Sequence, residues 1–170
     1  MKTALVVIDM QNDYLYAERK KQFTYNTDEL VSEVNGLIHQ YRENGSDIIY
    51  IRHIIQNLPT NRLLFGYSIA GTEGAEIFDG IDIVSDYCFD KLLGDALSNK
   101  KLLELVRQKE YDELHLCGLD EYGCVAATAL GAYRRGIKAV IVRKGTATIL
   151  PQSKADKVRR KIGKAEIQYI

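Results

Sequence analysis

Five consecutive apolar residues, Ala4-Leu5-Val6-Val7-Ile8, run straight into Asp9. A strand with no polar alternation has no face to give to water, so it must be covered on both sides, as an inner strand of a parallel sheet is. Comparable apolar runs recur at residues 48–51, 114–117 and 139–142, and the pattern predicts further short strands within 81–88 and at 165–170. Segments of helical period separate them. Asn26, with Glu29 three residues on, is placed to cap a helix whose Leu30, Val34, Leu37, Ile38 and Tyr41 form one stripe before Gly45. Ser98 is placed to cap another, with Leu102, Leu105 and Val106 inward. Ser153 does the same for a last one, with Ala155, Val158 and Ile162 inward. The alternation specifies an α/β fold in a single domain over residues 1–170, Rossmann-like in its winding. It has three layers: a six-stranded, mostly parallel sheet with helices on both faces.

Charge and cysteine content exclude several classes of function. Lys plus Arg and Asp plus Glu both number 23, and no basic stripe interleaved with aromatics is present, so the expected partner is a small molecule and not a nucleic acid. The first apolar run is too short for a signal peptide or a membrane span, which makes a cytoplasmic protein with no membrane partner the expectation. Cysteines stand at 88, 117 and 124, an odd set without a Cys-x-x-Cys pair, so neither a disulfide framework nor a zinc motif is predicted. Residues 54–80 contain Pro59, Gly66, Gly71, Gly74 and Gly80 and no sustained period. They read as a long loop over one end of the sheet, the kind of segment that often carries function.

The chemistry concentrates at residues 115–129, where an apolar run ends at Gly118 and a small-residue helical pattern follows Cys124. A thiol at a helix N-terminus meets unpaired N–H groups and the positive end of the dipole, which favour the thiolate. Asp9 ends strand one and Lys91 follows strand three, so both fall at the same sheet edge as Cys124, where open α/β sheets bind ligands. An ammonium lowers a nearby thiol pKa and a carboxylate can carry its proton, so the three together supply what covalent catalysis by cysteine requires. Taken singly each has a plainer role: a buried thiol, a turn aspartate, a solvated lysine. His39 and His115 read as structural. No Gly-x-Gly-x-x-Gly follows strand one, which argues against a dinucleotide binder.

The stretch from Ala4 to Tyr14, the segment Gly71-Thr72-Glu73-Gly74-Ala75-Glu76-Ile77, Lys91, and Cys117-Gly118 leading to Cys124-Val125 resemble, in that order, the isochorismatase-like cysteine hydrolases. The resemblance implies a catalytic triad of Asp9, Lys91 and Cys124, and a cis peptide between Leu119 and Asp120. It also implies an oxyanion hole made by the backbone N–H groups of Asp120 and Cys124. Tyr14 stands where the family usually has a phenylalanine lining the pocket, so it reads as substrate-binding, with a core tyrosine as the other reading. The implied activity is cleavage of a C–N bond in a small amide through a thioester. Two alternatives stay open: vinyl ether hydrolysis of the isochorismatase type, and a non-catalytic relative serving as a binding or assembly module. Members commonly form dimers or tetramers, so a homo-oligomer is expected. Nicotinamidases bind a metal through an Asp and two His after strand two. Here Arg52-His53 is followed by no histidine until His115, so neither metal nor cofactor is expected. Two departures stand out. Asp95-Ala96-Leu97 replaces the usual Ser-Ala-Phe, which removes an expected aromatic wall. Asp120-Glu121 places two carboxylates near the oxyanion hole, which disfavours anionic substrates if both point inward.

Overall fold

The computed structural model describes residues 1–18 and 21–170. Its strands are β1 (Thr3–Ile8), β2 (Asp47–His53), β3 (Cys88–Lys91), β4 (Glu113–Gly118) and β5 (Ala139–Thr146). They form one sheet in the order β3-β2-β1-β4-β5, with every ladder parallel. The helices are α1 (Asn12–Leu15), α2 (Thr27–Glu43), α3 (Pro59–Leu64), α4 (Lys100–Lys109), α5 (Ala126–Arg134) and α6 (Gln152–Lys164). Among the described residues no helix is long and apolar enough to cross a membrane.

The opening apolar run is the central strand and is buried on both sides, as its lack of alternation requires. Ala4, Val6 and Ile8 join a core with Leu102 and Val106 of α4, Ala129 and Ala132 of α5, and Ile162 of α6. Leu5 and Val7 belong to a second core with Leu30, Val34, Leu37 and Ile38 of α2. The α2 stripe and its cap stand as the sequence predicts: Asn26 accepts from the Glu29 N–H while its amide donates to the Glu29 carboxylate.

Four expectations are corrected. The sheet has five strands, not six. After α6 the chain turns through Ala165 and Glu166, the latter at φ 53°, so too little remains for a ladder. Residues 168–170 lie along β5 through a single bridge, Ile141 to Tyr169, and three backbone hydrogen bonds. The third strand begins only at Cys88, because side chains satisfy the backbone before it. The Tyr50 hydroxyl donates to Asp82 O and accepts from Val84 N, and Ser85 Oγ donates to Ile48 O. The cap of α4 is Asn99, whose carboxamide accepts from the N–H groups of Lys101 and Leu102, and not Ser98. Helix α6 starts at Pro151-Gln152 with no side-chain cap, so Ser153 lies inside it.

Strand order reverses between β1 and β4, since β2 and β3 extend to one side and β4 and β5 to the other. The crevice that results lies beyond Ile8 and Gly118, which pair across it. Gly118 sits at φ +104°, and a Cβ there would lie 2.1 Å from the Ile8 carbonyl oxygen. Only glycine lets β4 close this tightly on β1 before Leu119 N donates to Ile8 O at 2.8 Å. Gly118→Ala is therefore expected to cost about 3 kcal/mol or more. Urea unfolding of the variant checks this; a loss under about 1 kcal/mol contradicts it.

Candidate active site

Three strand ends deliver three side chains to the crevice. Asp9 is the first residue after β1 and adopts φ 55°, a left-handed conformation uncommon for a side chain with a Cβ, while its N–H donates to Ile51 O. That turn directs its carboxylate inward, where it is 3% exposed. Lys91 is the last residue of β3 itself, and its carbonyl accepts from Ile54 N. Its side chain is fully buried, with Nζ donating to Asp9 Oδ2 at 2.8 Å and to Cys124 Sγ at 3.1 Å. The other Asp9 oxygen, Oδ1, is buried without a hydrogen-bond partner. The structure thus brings Asp9, Lys91 and Cys124 together.

Cys124 does not begin an α-helix. It lies in a wide π-type turn, Glu121–Val125, kinked at Gly123 (φ −99°, ψ −111°), and α5 starts two residues later. The peptide joining Leu119 and Asp120 is cis. Asp120 holds this turn in place. Its Oδ1 accepts from Tyr122 N and from Thr148 Oγ1, and its Oδ2 accepts from Ile149 N. The N–H groups of Glu121, Gly123 and Val125 donate to backbone carbonyls. For those of Asp120 and Cys124 no acceptor outside the turn is found among the described residues. Glu121 is buried but does not line the cavity, and its charge falls on Tyr169 instead. Of the pair, only Asp120 lines the cavity, and both its carboxylate oxygens are engaged by Tyr122, Thr148 and Ile149.

The charges resolve differently from the sequence expectation of a resting thiolate. Burial pushes the Cys124 thiol up to about 12, the Asp9 carboxylate adds to the rise, and the Lys91 ammonium opposes it without prevailing. For Lys91 burial works downward, but Asp9 and then Cys124 hold the ammonium above its usual range. The physical reason is that one buried cation faces two acids. With Asp9 ionised, a thiolate would leave an uncompensated buried negative charge. The resting site is a carboxylate–ammonium pair beside a neutral thiol.

These groups open into a cavity of about 230 Å³. Asp9, Leu119, Asp120 and Cys124 line its reacting side, while Tyr14, Phe23, Tyr25 and Tyr67 supply aromatic walls together with Gln22, His53 and Ile149. Tyr14 lines the cavity and is also part of the α2-side core. Its hydroxyl bonds Ser68 Oγ at 2.7 Å and His53 Nδ1 at 3.3 Å. His53 Nε2 faces Leu92 O at 3.1 Å, which assigns the proton to Nε2 and makes Nδ1 the acceptor of the Tyr14 hydroxyl. Burial and Lys91 hold the imidazole below its ordinary range, hence neutral. Leu97, at the place of the usual phenylalanine, is packed in the other core and is not among the described lining residues of the cavity. Phe23, Tyr25 and Tyr67 were not singled out from the sequence; the available signal was aromatic residues set in otherwise polar loops.

The isochorismatase domain model matches residues 3–162. The chain belongs to the isochorismatase family. An uncharacterized isochorismatase family protein of Bacillus subtilis, YddQ, is 27% identical over 149 residues, covering 87% of this chain and 79% of that protein. Among solved structures, N-carbamoylsarcosine amidase from Thermoplasma acidophilum superposes with a TM-score of 0.82 at 24% identity, covering 99% of this chain and 95% of that one. Pyrazinamidase of Pyrococcus horikoshii in complex with zinc gives 0.83 at 22% identity, covering 100% and 99%. At these identities the structures establish the shared fold. The residues of this family member do not fit a metal: no group of three or more His, Cys, Asp or Glu is placed to hold one among the described residues, and both ring nitrogens of His53 are engaged.

Alkylation of Cys124 reports its ionisation. Iodoacetamide labelling at pH 8 is expected to be slow, slower still in Lys91→Met, and faster in Asp9→Asn, which removes the carboxylate while tolerating the left-handed backbone. Mass-spectrometric rates check the order. Labelling unchanged by either substitution contradicts it.

Proposed function

We propose that the protein is a cysteine hydrolase that cleaves the C–N bond of a small, uncharged amide through a thioester on Cys124. The observation that carries this reading is the buried Lys91 ammonium, 2.8 Å from Asp9 Oδ2 and 3.1 Å from Cys124 Sγ. Because the thiol rests protonated, its proton passes to Asp9 as sulfur attacks the carbonyl carbon, and Lys91 stabilises the charge that develops on sulfur. The carbonyl oxygen becomes an oxyanion, for which the Asp120 and Cys124 N–H groups are the proposed donors.

Collapse of this intermediate breaks the C–N bond, and Asp9 returns its proton to the departing nitrogen. Water then gives a proton to Asp9 as its oxygen attacks the thioester. The C–S bond breaks, sulfur recovers the proton, and a carboxylic acid leaves. Lys91 keeps its charge throughout, which matches an ammonium held above its usual range. The charged side chains among the described lining residues are Asp9 and Asp120, both acidic, so the reading favours an uncharged substrate over an anionic one.

A panel of small primary amides, followed by ammonia release, tests the reading. Turnover is expected, with Cys124→Ala lowering it below detection and Asp9→Asn lowering kcat by roughly 10²–10⁴. Quenched wild-type protein should carry the acyl group on Cys124 by peptide mass. Turnover that survives Cys124→Ala would sink the proposal. Treatment with a chelator is expected to leave the rate unchanged, as the residues around the site do not form a metal-binding set.

A further inference from the structure

A second cavity, of about 350 Å³, adjoins the one that holds Cys124. Ile55, Phe65 and Leu92 give it apolar walls, Gln56 is its neutral polar edge, and His53 and Tyr67 line both cavities. The shared wall is fixed by its partners. The His53 imidazole is held between the Tyr14 hydroxyl and Leu92 O, and the Tyr67 ring packs against Tyr14, Phe23 and Phe65 with centroids 5.8, 5.9 and 6.3 Å apart. None of the second cavity's lining side chains, among the described residues, is an acid, a lysine or an arginine. Leu92 is nonetheless 59% exposed and Phe65 39% exposed, so apolar surface stands open to water beside the reacting thiol.

We propose that the two cavities form one bipartite substrate site. The scissile amide lies against Cys124, and an uncharged apolar arm of the same molecule crosses His53 and Tyr67 to rest on Ile55, Phe65 and Leu92. This rests on the cysteine-hydrolase reading and narrows its substrate class to amides extended by an aliphatic or aromatic group. The second cavity, about 350 Å³ against about 230 Å³, gives an arm a binding surface away from the reacting bond, where binding energy can position that bond. His53 takes no proton in this arrangement. Its two nitrogens are engaged within the wall, and it serves as a positioning residue for the bridge between the cavities.

The test uses the full chain and four ligands: benzamide, para-phenethylbenzamide, N-phenethylbenzamide and, as a charged-arm control, para-carboxyethylbenzamide. Binding is measured by calorimetry on Cys124→Ala, and turnover on the wild type. At least one phenethyl amide is expected to bind about tenfold or more tightly than benzamide, while the carboxylate control gains nothing. Phe65→Ala with Leu92→Ala in the same background should bring the affinity ratio towards one. Should that variant fold poorly, nuclear Overhauser contacts between the arm's ring and the Ile55 and Leu92 methyl groups in Cys124→Ala decide the matter. Equal affinities, a gain indifferent to the two substitutions, or arm contacts elsewhere would overturn the bipartite site. Hydrolysis of benzamide without any gain from the arm would leave the cysteine-hydrolase reading standing alone. An arm gain without hydrolysis in the wild type would do the reverse, and binding of none of the four would overturn both.

Discussion

A lysine ammonium with no access to water is the constraint around which this molecule is arranged. Stripping an ammonium of its hydration costs several kcal/mol unless an opposite charge and further acceptors replace the water, so Lys91 at the end of β3 demands Asp9 at the end of β1. Those two strands are not neighbours; β2 lies between them. The side chain must therefore reach past β2, and Asp9 must turn through a left-handed φ to meet it. Nζ also donates to the sulfur of Cys124. Placing the cation thus also places the thiol against a base whose second oxygen is unpaired.

The fold was legible in the sequence wherever burial on two faces wrote itself as an unbroken apolar run, as at 4–8 and 139–142. It was less so where backbone groups are satisfied by side chains, and no local pattern announces that. Ile81, Ile83 and Val84 make residues 81–87 look like a strand, yet the Tyr50 hydroxyl and Ser85 Oγ take up backbone groups that a ladder would use. The C-terminal segment carries strand-forming residues but follows a left-handed turn at Glu166 that leaves it too short. Caps were ambiguous for a related reason: Ser98 and Asn99 are both good cap residues, and only the chain's path selects Asn99.

The catalytic candidates could be read because they sit at strand ends, whose positions the topology dictates. Their ionisation could not. Helix position and a neighbouring lysine both point to a thiolate in sequence, whereas burial and the Asp9 charge decide for the thiol, and burial is a property of the assembled site. The aromatic walls escaped for a similar reason. Phe23, Tyr25 and Tyr67 come from loops, and what brings them together is the packing of Tyr14 against Phe23 and Tyr67.

Asp120 ties down one side of the cavity by hydrogen bonds, and ring packing closes the other. Its carboxylate fastens the turn that holds Cys124 to Thr148 and Ile149 beyond β5, so that connection is committed to holding the turn. On the opposite side the Tyr67 ring packs against Tyr14 and Phe23, and Phe23 against Tyr25. A substitution on that aromatic side leaves the three Asp120 hydrogen bonds in place, whereas loss of the Asp120 carboxylate would release Tyr122, Thr148 and Ile149 together.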